Sequence, residues 1–272
     1  MTEYLAVLFT QKLNESPYCL RFAYTTWLTH EVPKTSIQLA VQRAQVELQA
    51  SEINLLEHRI ADNQIQLLLS TKPTHSPTFI ARVTKVKMSA ALSAQNHNQV
   101  LKREFSLRSV GENTTKDLLS YLQKQVLRRK FVDDRFSDSL TPFSRAYKLT
   151  PGECQKTSYG YYWYDLHLVL GTTDRYCVAE ERIWKAIVEA TENWHQELGY
   201  QINSISLLPD HVHLLNRPCI KTSPQQVGEG LVERLNRIPI MQNIYRPTFY
   251  VATHGVYAMN AVRNLLRAKS EG

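Results

Sequence analysis

The chain has 272 residues, which suits one large domain or two small ones. Its 43% hydrophobic and 21% charged residues are ordinary for a folded protein with a core, and they exclude a disordered tail or a coiled-coil rod. The 32 basic and 25 acidic residues give a net charge of +7, which favours a polyanionic partner without identifying one.

The elements predicted along the chain occur twice in the same order. Each half has an apolar strand, an amphipathic helix, a pair of strands, a helix that begins with Ser-Pro, and a last helix that follows a glycine. In the first half the predicted ranges are 18–26, 36–50, 53–56, 64–70 and 115–130, with Ser-Pro at 76–77. In the second half they are 161–172, 179–198, 202–208, 212–215 and 259–269, with Ser-Pro at 223–224. The order predicts a duplicated unit of sheet and helices.

Identical residues at one spacing also indicate an internal repeat. At a shift of 147 residues, Thr25-Thr26 falls on Thr172-Thr173 and Leu67-Leu68 falls on Leu214-Leu215. The same shift relates the two Ser-Pro pairs. Further along the chain the shift becomes 144, where Val110-Gly111 falls on His254-Gly255. We therefore predict an α+β protein of two tandem units, 1–131 and 158–272, each an antiparallel sheet covered by helices, joined by a linker at 132–157 that is rich in Asp, Ser, Pro and Gly.

The most informative segment of the second half reads Pro-Asp-His-Val-His-Leu-Leu, from 209 to 215. Side chains alternate along a strand, so His211 and His213 share one face and can bind a divalent metal together. The alternative is two histidines on a solvated strand face.

This segment resembles the histidine–hydrophobe–histidine signature of the HUH superfamily, in particular the single-tyrosine transposases of the IS200/IS605-like and REP-associated groups. His167, within a Tyr-Asp-Leu-His-Leu-Val run, is similar to that family's first strand. The resemblance implies two HUH, ferredoxin-like units that act as an intramolecular pseudodimer. It also implies a tyrosine nucleophile, followed four residues later by a glutamine that completes the metal site.

The pattern of the nucleophile helix is complete in the first half only. Tyr121 and Gln125 stand at the implied positions there, whereas the second half has Leu265 and Lys269. The histidine strand shows the reverse, because the 147 shift puts Gln64 and Gln66 opposite the two histidines. The alternative for Tyr121 and Gln125 is an ordinary amphipathic helix.

Each half therefore lacks what the other retains. Family members join the histidines of one subunit to the tyrosine helix of the other, so a fused pair would hold one complete site and one degenerate site. The complete site would contain Tyr121 as catalytic residue and His211, His213 and Gln125 as ligands of Mg²⁺ or Mn²⁺. If Tyr121 instead lies beside Gln64 and Gln66, no complete site exists.

The predicted partner is single-stranded or hairpin DNA. Basic residues at the end of the tyrosine helix are candidates for phosphate contacts, with a solvated helix end as the alternative: Lys124, Arg128, Arg129 and Lys130. The aromatic residues at 159 and 161–164 could stack on bases, although packing of a strand is the favoured interpretation.

Three further expectations follow from the whole sequence. The four cysteines lack the spacing of a zinc or redox motif. No apolar run approaches a membrane helix and no secretion signal is visible, so we expect a cytoplasmic protein without a membrane partner that works as a monomeric pseudodimer. The leading function is a metal-dependent DNA nickase and strand transferase through a 5′-phosphotyrosine; the alternative is a catalytically silent regulator that binds hairpin DNA or RNA.

Overall fold

The computed structural model describes residues 18–61, 63–128, 134–148, 153–239 and 243–267, with the backbone alone at 127, 128, 134 and 135. The described strands are β1 (Tyr18–Cys19), β2 (Arg21–Leu28), β3 (Ile53–Ala61), β4 (Gln64–Thr71), β5 (Leu101–Val110), β6 (Arg145–Ala146), β7 (Gln155–Lys156), β8 (Gly160–Trp163), β9 (Asp165–Thr172), β10 (Gln201–Leu208), β11 (His211–Arg217) and β12 (Tyr245–His254). The described α-helices are α1 (Lys34–Gln49), α2 (Pro77–Ser93), α3 (Thr115–Arg128), α4 (Asp134–Leu140), α5 (Glu181–Leu198), α6 (Pro224–Asn236) and α7 (Met259–Arg267).

The strands form two six-stranded sheets, which confirms the predicted α+β class. The first-half sheet has the order β3-β4-β2-β5-β8-β7, and the second-half sheet has the order β1-β12-β9-β11-β10-β6. Helices α1 and α2 pack together on one sheet and α5 and α6 on the other. The last helix of each half crosses over, because α3 packs on β10 of the second-half sheet and α7 on β3 of the first.

Short strands are exchanged in the same reciprocal way. β1, from the first half, pairs in parallel with β12, while β8 pairs in parallel with β5. The sequence predicts one continuous strand at each of these places, and that prediction is wrong. The strand breaks at Leu20 and at Tyr164, both buried, because the chain leaves one sheet there and enters the other.

Strand register corrects part of the predicted repeat. Leu208 pairs with His211 and Ala61 with Gln64, so the two hairpins correspond at the 147 shift and the glutamines occupy the histidine positions. In the first strand, however, Trp27 pairs with Gln64 and Gly171 with His211, which is a shift of 144. Thr25-Thr26 therefore corresponds to Val169-Leu170, and the threonine match of the sequence is fortuitous.

Two hydroxyl groups bridge the halves at equivalent positions. Thr253 Oγ1 accepts a hydrogen bond from Arg21 N and donates to Val110 O, at 2.8 and 2.7 Å. Ser109 Oγ, 144 residues earlier, accepts from Asp165 N and donates to the His254 carbonyl. The matched bonds give the interface an approximate two-fold symmetry, and a single apolar cluster runs through both halves.

The segment predicted as a linker contains packed structure in its described part. It includes α4 and a 3-10 turn at Thr141–Phe143, while β6 extends one sheet and β7 the other. β3 is also longer than predicted, since its polar residues from Glu57 to Arg59 give no apolar signal but pair with β4 throughout. The division at residues 131 and 158 stays a prediction. Among the described helices, none is long and apolar enough to cross a membrane.

Candidate functional site

The site begins with the histidine strand, β11, in the middle of its sheet. β11 lies between β9 and β10, and every residue along it is buried. His213 has no exposed surface and His211 has 6%. Their ring centroids are 5.0 Å apart, as expected for alternate residues on one face of a strand.

The second component is the helix α3. Its sequence determines where the helix begins and which side of it is buried. Thr114 and Asp117 cap its first turn, with the Thr114 hydroxyl donating to Asp117 Oδ2 at 2.6 Å and Asp117 N donating back to Thr114 Oγ1. Leu118 and Leu122 are buried against Leu215 of β11. The helix therefore lies across the histidine strand.

This packing brings the tyrosine and glutamine of the first half to His213 of the second. Gln125 Nε2 lies 3.0 Å from His213 Nε2, and the ring centroids of Tyr121 and His213 are 6.3 Å apart. A cleft of about 580 Å³, part of it open solvent, is lined by Tyr121, His213, His167 and Tyr250. The arrangement in which Tyr121 lies beside Gln64 and Gln66 does not occur.

Buried neighbours hold both histidines in place. His167 on β9 stacks beside His213, with His167 Nε2 3.0 Å from His213 Nδ1. His211 Nδ1 lies 2.8 Å from a carboxylate oxygen of Asp210, which is itself 3% exposed. Donation of the Nδ1 proton in each pair leaves the Nε2 nitrogens as the electron-pair donors on the side of the site.

Burial keeps His167 and His213 uncharged. It lowers the pKa of His167 to about 3, with a smaller contribution from His254. It also lowers the pKa of His213 well below the usual value, and His211 and His167 add to the effect. At neutral pH these two imidazoles therefore carry lone pairs that can accept a proton or bind a metal.

Imidazole nitrogens and one side-chain amide oxygen are suitable ligands for a divalent ion at this site. Among the described residues, no group of three or more His, Cys, Asp or Glu side chains is arranged to hold a metal, so a third protein ligand would be Gln125. Its Oε1 is buried and has no hydrogen-bond partner in the described part of the chain. The O and N atoms of a side-chain amide are told apart only by their surroundings. A half-turn of the Gln125 amide would therefore place its oxygen on the side of His213.

Among the other predicted residues, those of the two last helices are either exposed or have side chains outside the described part of the chain. Lys124 is exposed on α3, the side chain of Arg128 is not described, and Arg129, Lys130 and Lys269 lie outside the described residues. Leu265 is 54% exposed on α7. Within the aromatic run, Tyr162 and Tyr164 are buried in the core, whereas Tyr159 and Tyr161 stay exposed.

His167 is the functional candidate that sequence reasoning did not place in the site. Its Tyr-Asp-Leu-His context matches the first strand of the resembled family, but the contact with His213 depends on the diagonal register of β9 and β11. The sequence therefore singled out His167 but did not predict its contact with His213.

Comparison with known proteins agrees with this geometry. Residues 161–264 match the family described as "Transposase IS200 like". None of the curated proteins matches the chain. Residues 161–264, within the second half of the chain, are therefore similar to the IS200-like transposase family.

Solved structures give weaker likenesses. A protein from Deinococcus radiodurans R1, assigned as a transposase, is 18% identical with a TM-score of 0.33, over 43% of this chain and 96% of its own. A protein assigned as a glycine cleavage system transcriptional repressor is 12% identical with a TM-score of 0.22, over 86% of this chain and 98% of its own. At these TM-scores neither likeness defines an activity.

Proposed function

We propose that the chain is a metal-dependent endonuclease and strand transferase for single-stranded DNA, with one active site composed from both halves. The observation that carries the proposal is the 3.0 Å approach of Gln125, on the tyrosine helix of the first half, to His213, on the histidine strand of the second. In this proposal Tyr121 is the nucleophile, and His211, His213 and Gln125 hold the metal.

The reaction exchanges one phosphate ester for another. The Tyr121 oxygen attacks a backbone phosphorus, the bond from phosphorus to the 3′-oxygen breaks, and the proton lost by the phenol is balanced by the one gained at the new 3′-hydroxyl. The product is a 5′-phosphotyrosine, which a different 3′-hydroxyl can attack to rejoin the strand. A bound divalent ion supplies Lewis-acid polarisation of the phosphate.

Two residues orient the histidine ligands. In this proposal His167 accepts the Nδ1 proton of His213 and Asp210 accepts that of His211, which leaves Nε2 of each histidine unprotonated. Tyr121 and Gln125 are one helical turn apart, so they project from the same side of α3. In this proposal the nucleophile and one ligand lie on α3, and the two histidine ligands lie on β11.

The test is the formation of a covalent protein–DNA adduct. The protein is incubated with Mn²⁺ and a labelled hairpin oligonucleotide with single-stranded flanks, and the products are separated under denaturing conditions. We expect an adduct that requires the metal, disappears in Tyr121→Phe, and persists in Tyr176→Phe, a control whose tyrosine is 60% exposed and does not line the cleft.

Two outcomes would count against this assignment. An adduct that survives Tyr121→Phe and is lost in Tyr250→Phe would move the nucleophile to the other tyrosine of the cleft. Tight binding of the hairpin with no adduct under Mg²⁺ or Mn²⁺ would favour a silent regulator of DNA or RNA.

A further inference from the structure

In the first half, Gln64 and Gln66 stand at the positions of the two histidines. A row of side chains crosses the sheet there. Register partners run across all six strands of the first-half sheet on the face that corresponds to the histidine face. In strand order the row is Arg59, Gln66, Thr25, Ser106, Tyr161 and Lys156, and we call it the polar strip. With strands about 4.8 Å apart, the strip spans about 24 Å.

The polar strip is more accessible than its counterpart in the other half. The corresponding row there contains Ser206, His213 and Val169, which are buried, and Tyr250, which is partly exposed at the cleft. In the strip, Tyr161 is 41% exposed, Lys156 is exposed, and the remaining members are partly exposed. The strip is therefore an open surface.

Arginines gather along this face beside two acidic residues, Glu57 and the exposed Glu104. Arg59 forms one end of the strip, and Arg21 and Arg108 lie on the same face of β2 and β5. The Nε atoms of Arg59 and Arg21 and the Oε1 atom of Gln66 are buried without hydrogen-bond partners in the described part of the protein. The nearby Glu57 already pairs with Arg267 of α7. These orphaned groups suit an external polar ligand, and the charge favours an anion.

Aromatic rings accompany the cations. The Arg108 guanidinium lies 3.2 Å from the centre of the Trp163 ring, and Lys156 Nζ lies 5.6 Å from that of Tyr161. Tyr161 and Trp163 are alternate residues of β8 and so share a face. Cations that contact phosphates beside rings that stack on bases are typical of surfaces that bind single strands.

We propose that the polar strip binds a second segment of single-stranded DNA and does not cut it. The choice of DNA rests on the proposed function, whereas the polyanionic, base-bearing character of the ligand follows from the strip itself. The chain would cut one segment at Tyr121 and hold another on the opposite half. A degenerate catalytic site would thus act as a binding site.

The test measures binding in the Tyr121→Phe background, so that cutting does not contribute. The probe is a fluorescein-labelled 20-nucleotide oligothymidine, followed by anisotropy at several salt concentrations. We expect Arg59→Gln/Arg108→Gln to weaken binding at least tenfold and to reduce the slope of log K against log salt by about 1.4, as for two lost phosphate contacts. Tyr161→Ala should weaken binding about tenfold, through loss of stacking.

The matched control is Arg182→Gln/Arg237→Gln, which removes two arginines whose side chains are 70% and 71% exposed at α5 and α6. We expect it to bind the probe like the parent. An oligonucleotide with 5-iododeoxyuridine should crosslink under ultraviolet light to Tyr161 or Trp163, as located by mass spectrometry. Circular dichroism melting checks that each variant is folded.

Failure of this inference is distinguishable from failure of the proposed function. Strip variants that bind the probe like the parent, or crosslinks confined to other surfaces, would overturn the inference even in a protein that forms the Tyr121 adduct. Duplex DNA of equal length that competes as well as the single strand would also overturn it, because the rings would not be used. Strip-dependent binding in a protein that forms no adduct would sustain the inference and reject the nuclease.

Discussion

At the scale of single residues, the position of protons in the histidine cluster decides what the site can bind. His213 can present Nε2 to Gln125 only if its Nδ1 carries the proton, and His167 Nε2 is the acceptor 3.0 Å away. Both rings are neutral because burial lowers their pKa values. His167 is therefore a positioning residue that acts through His213.

His167→Phe removes this acceptor and keeps a ring of similar shape. We expect the Mn²⁺ concentration for half-maximal adduct formation to rise about 10- to 100-fold, because loss of an orienting partner weakens a ligand. His195→Phe is the control, since His195 is equally buried, with a pKa lowered to about 4, but lies on α5 with Thr191 and Asn216 as its partners. It should change stability without changing the Mn²⁺ dependence. The same Mn²⁺ dependence in His167→Phe as in the parent would contradict the positioning role.

At the scale of elements, two glycines permit a close crossing of the two backbone segments that lead into α3 and α7. A Cβ atom at Gly111 would lie 2.7 Å from the Thr253 carbonyl oxygen, and one at Gly255 would lie 2.4 Å from that of Ser109. Only glycine allows the two backbones to approach this closely. The crossing sets where each last helix meets the opposite sheet.

Gly255→Ala should therefore strain the contact between the halves. We expect a loss of about 2–3 kcal/mol in the free energy of unfolding, measured by urea denaturation, together with a lower adduct yield. Gly199→Ala is the control: its φ of +65° costs about 1 kcal/mol, but no atom lies within 4 Å of the added methyl group. Equal losses in the two variants would show that the crossing tolerates a side chain.

At the scale of the whole molecule, the exchange of strands and last helices makes the two halves interdependent. β1 and β8 each complete the sheet of the other half, and α3 brings Tyr121 to the sheet of the second half, whose own last helix has Leu265 at the corresponding position. In the proposed function one chain holds one complete site, so we infer that it can cut one strand at a time. The proposed composite site needs no second copy.

Mixing two inactive variants tests this arrangement. Tyr121→Phe and His213→Ala should each form no adduct, and an equimolar mixture should also form none, because each chain carries its own defect within the single site. Adduct in the mixture would mean that the tyrosine helix of one chain reaches the histidines of another. Size-exclusion chromatography with light scattering gives the oligomeric state under the same conditions.

The sequence by itself determined the features that depend on neighbouring residues. The alternation of His211 and His213 along a strand and the one-turn spacing of Tyr121 and Gln125 follow from local periodicity, and the structure agrees with both. The replacement of both histidines by Gln64 and Gln66 was also readable, because the two hairpins keep one spacing without a gap.

Only the tertiary structure decided how these parts meet. The 144 register of the first strand, the exchange of β1 and β8, the contact of His167 with His213, and the row that forms the polar strip all depend on pairing between distant segments. Such pairings are selected by burial and backbone hydrogen bonds across the whole fold, which no local pattern records. Length and charge suggested two domains and an anionic partner. The packing of each last helix on the opposite sheet then brought the one tyrosine helix to the one histidine strand.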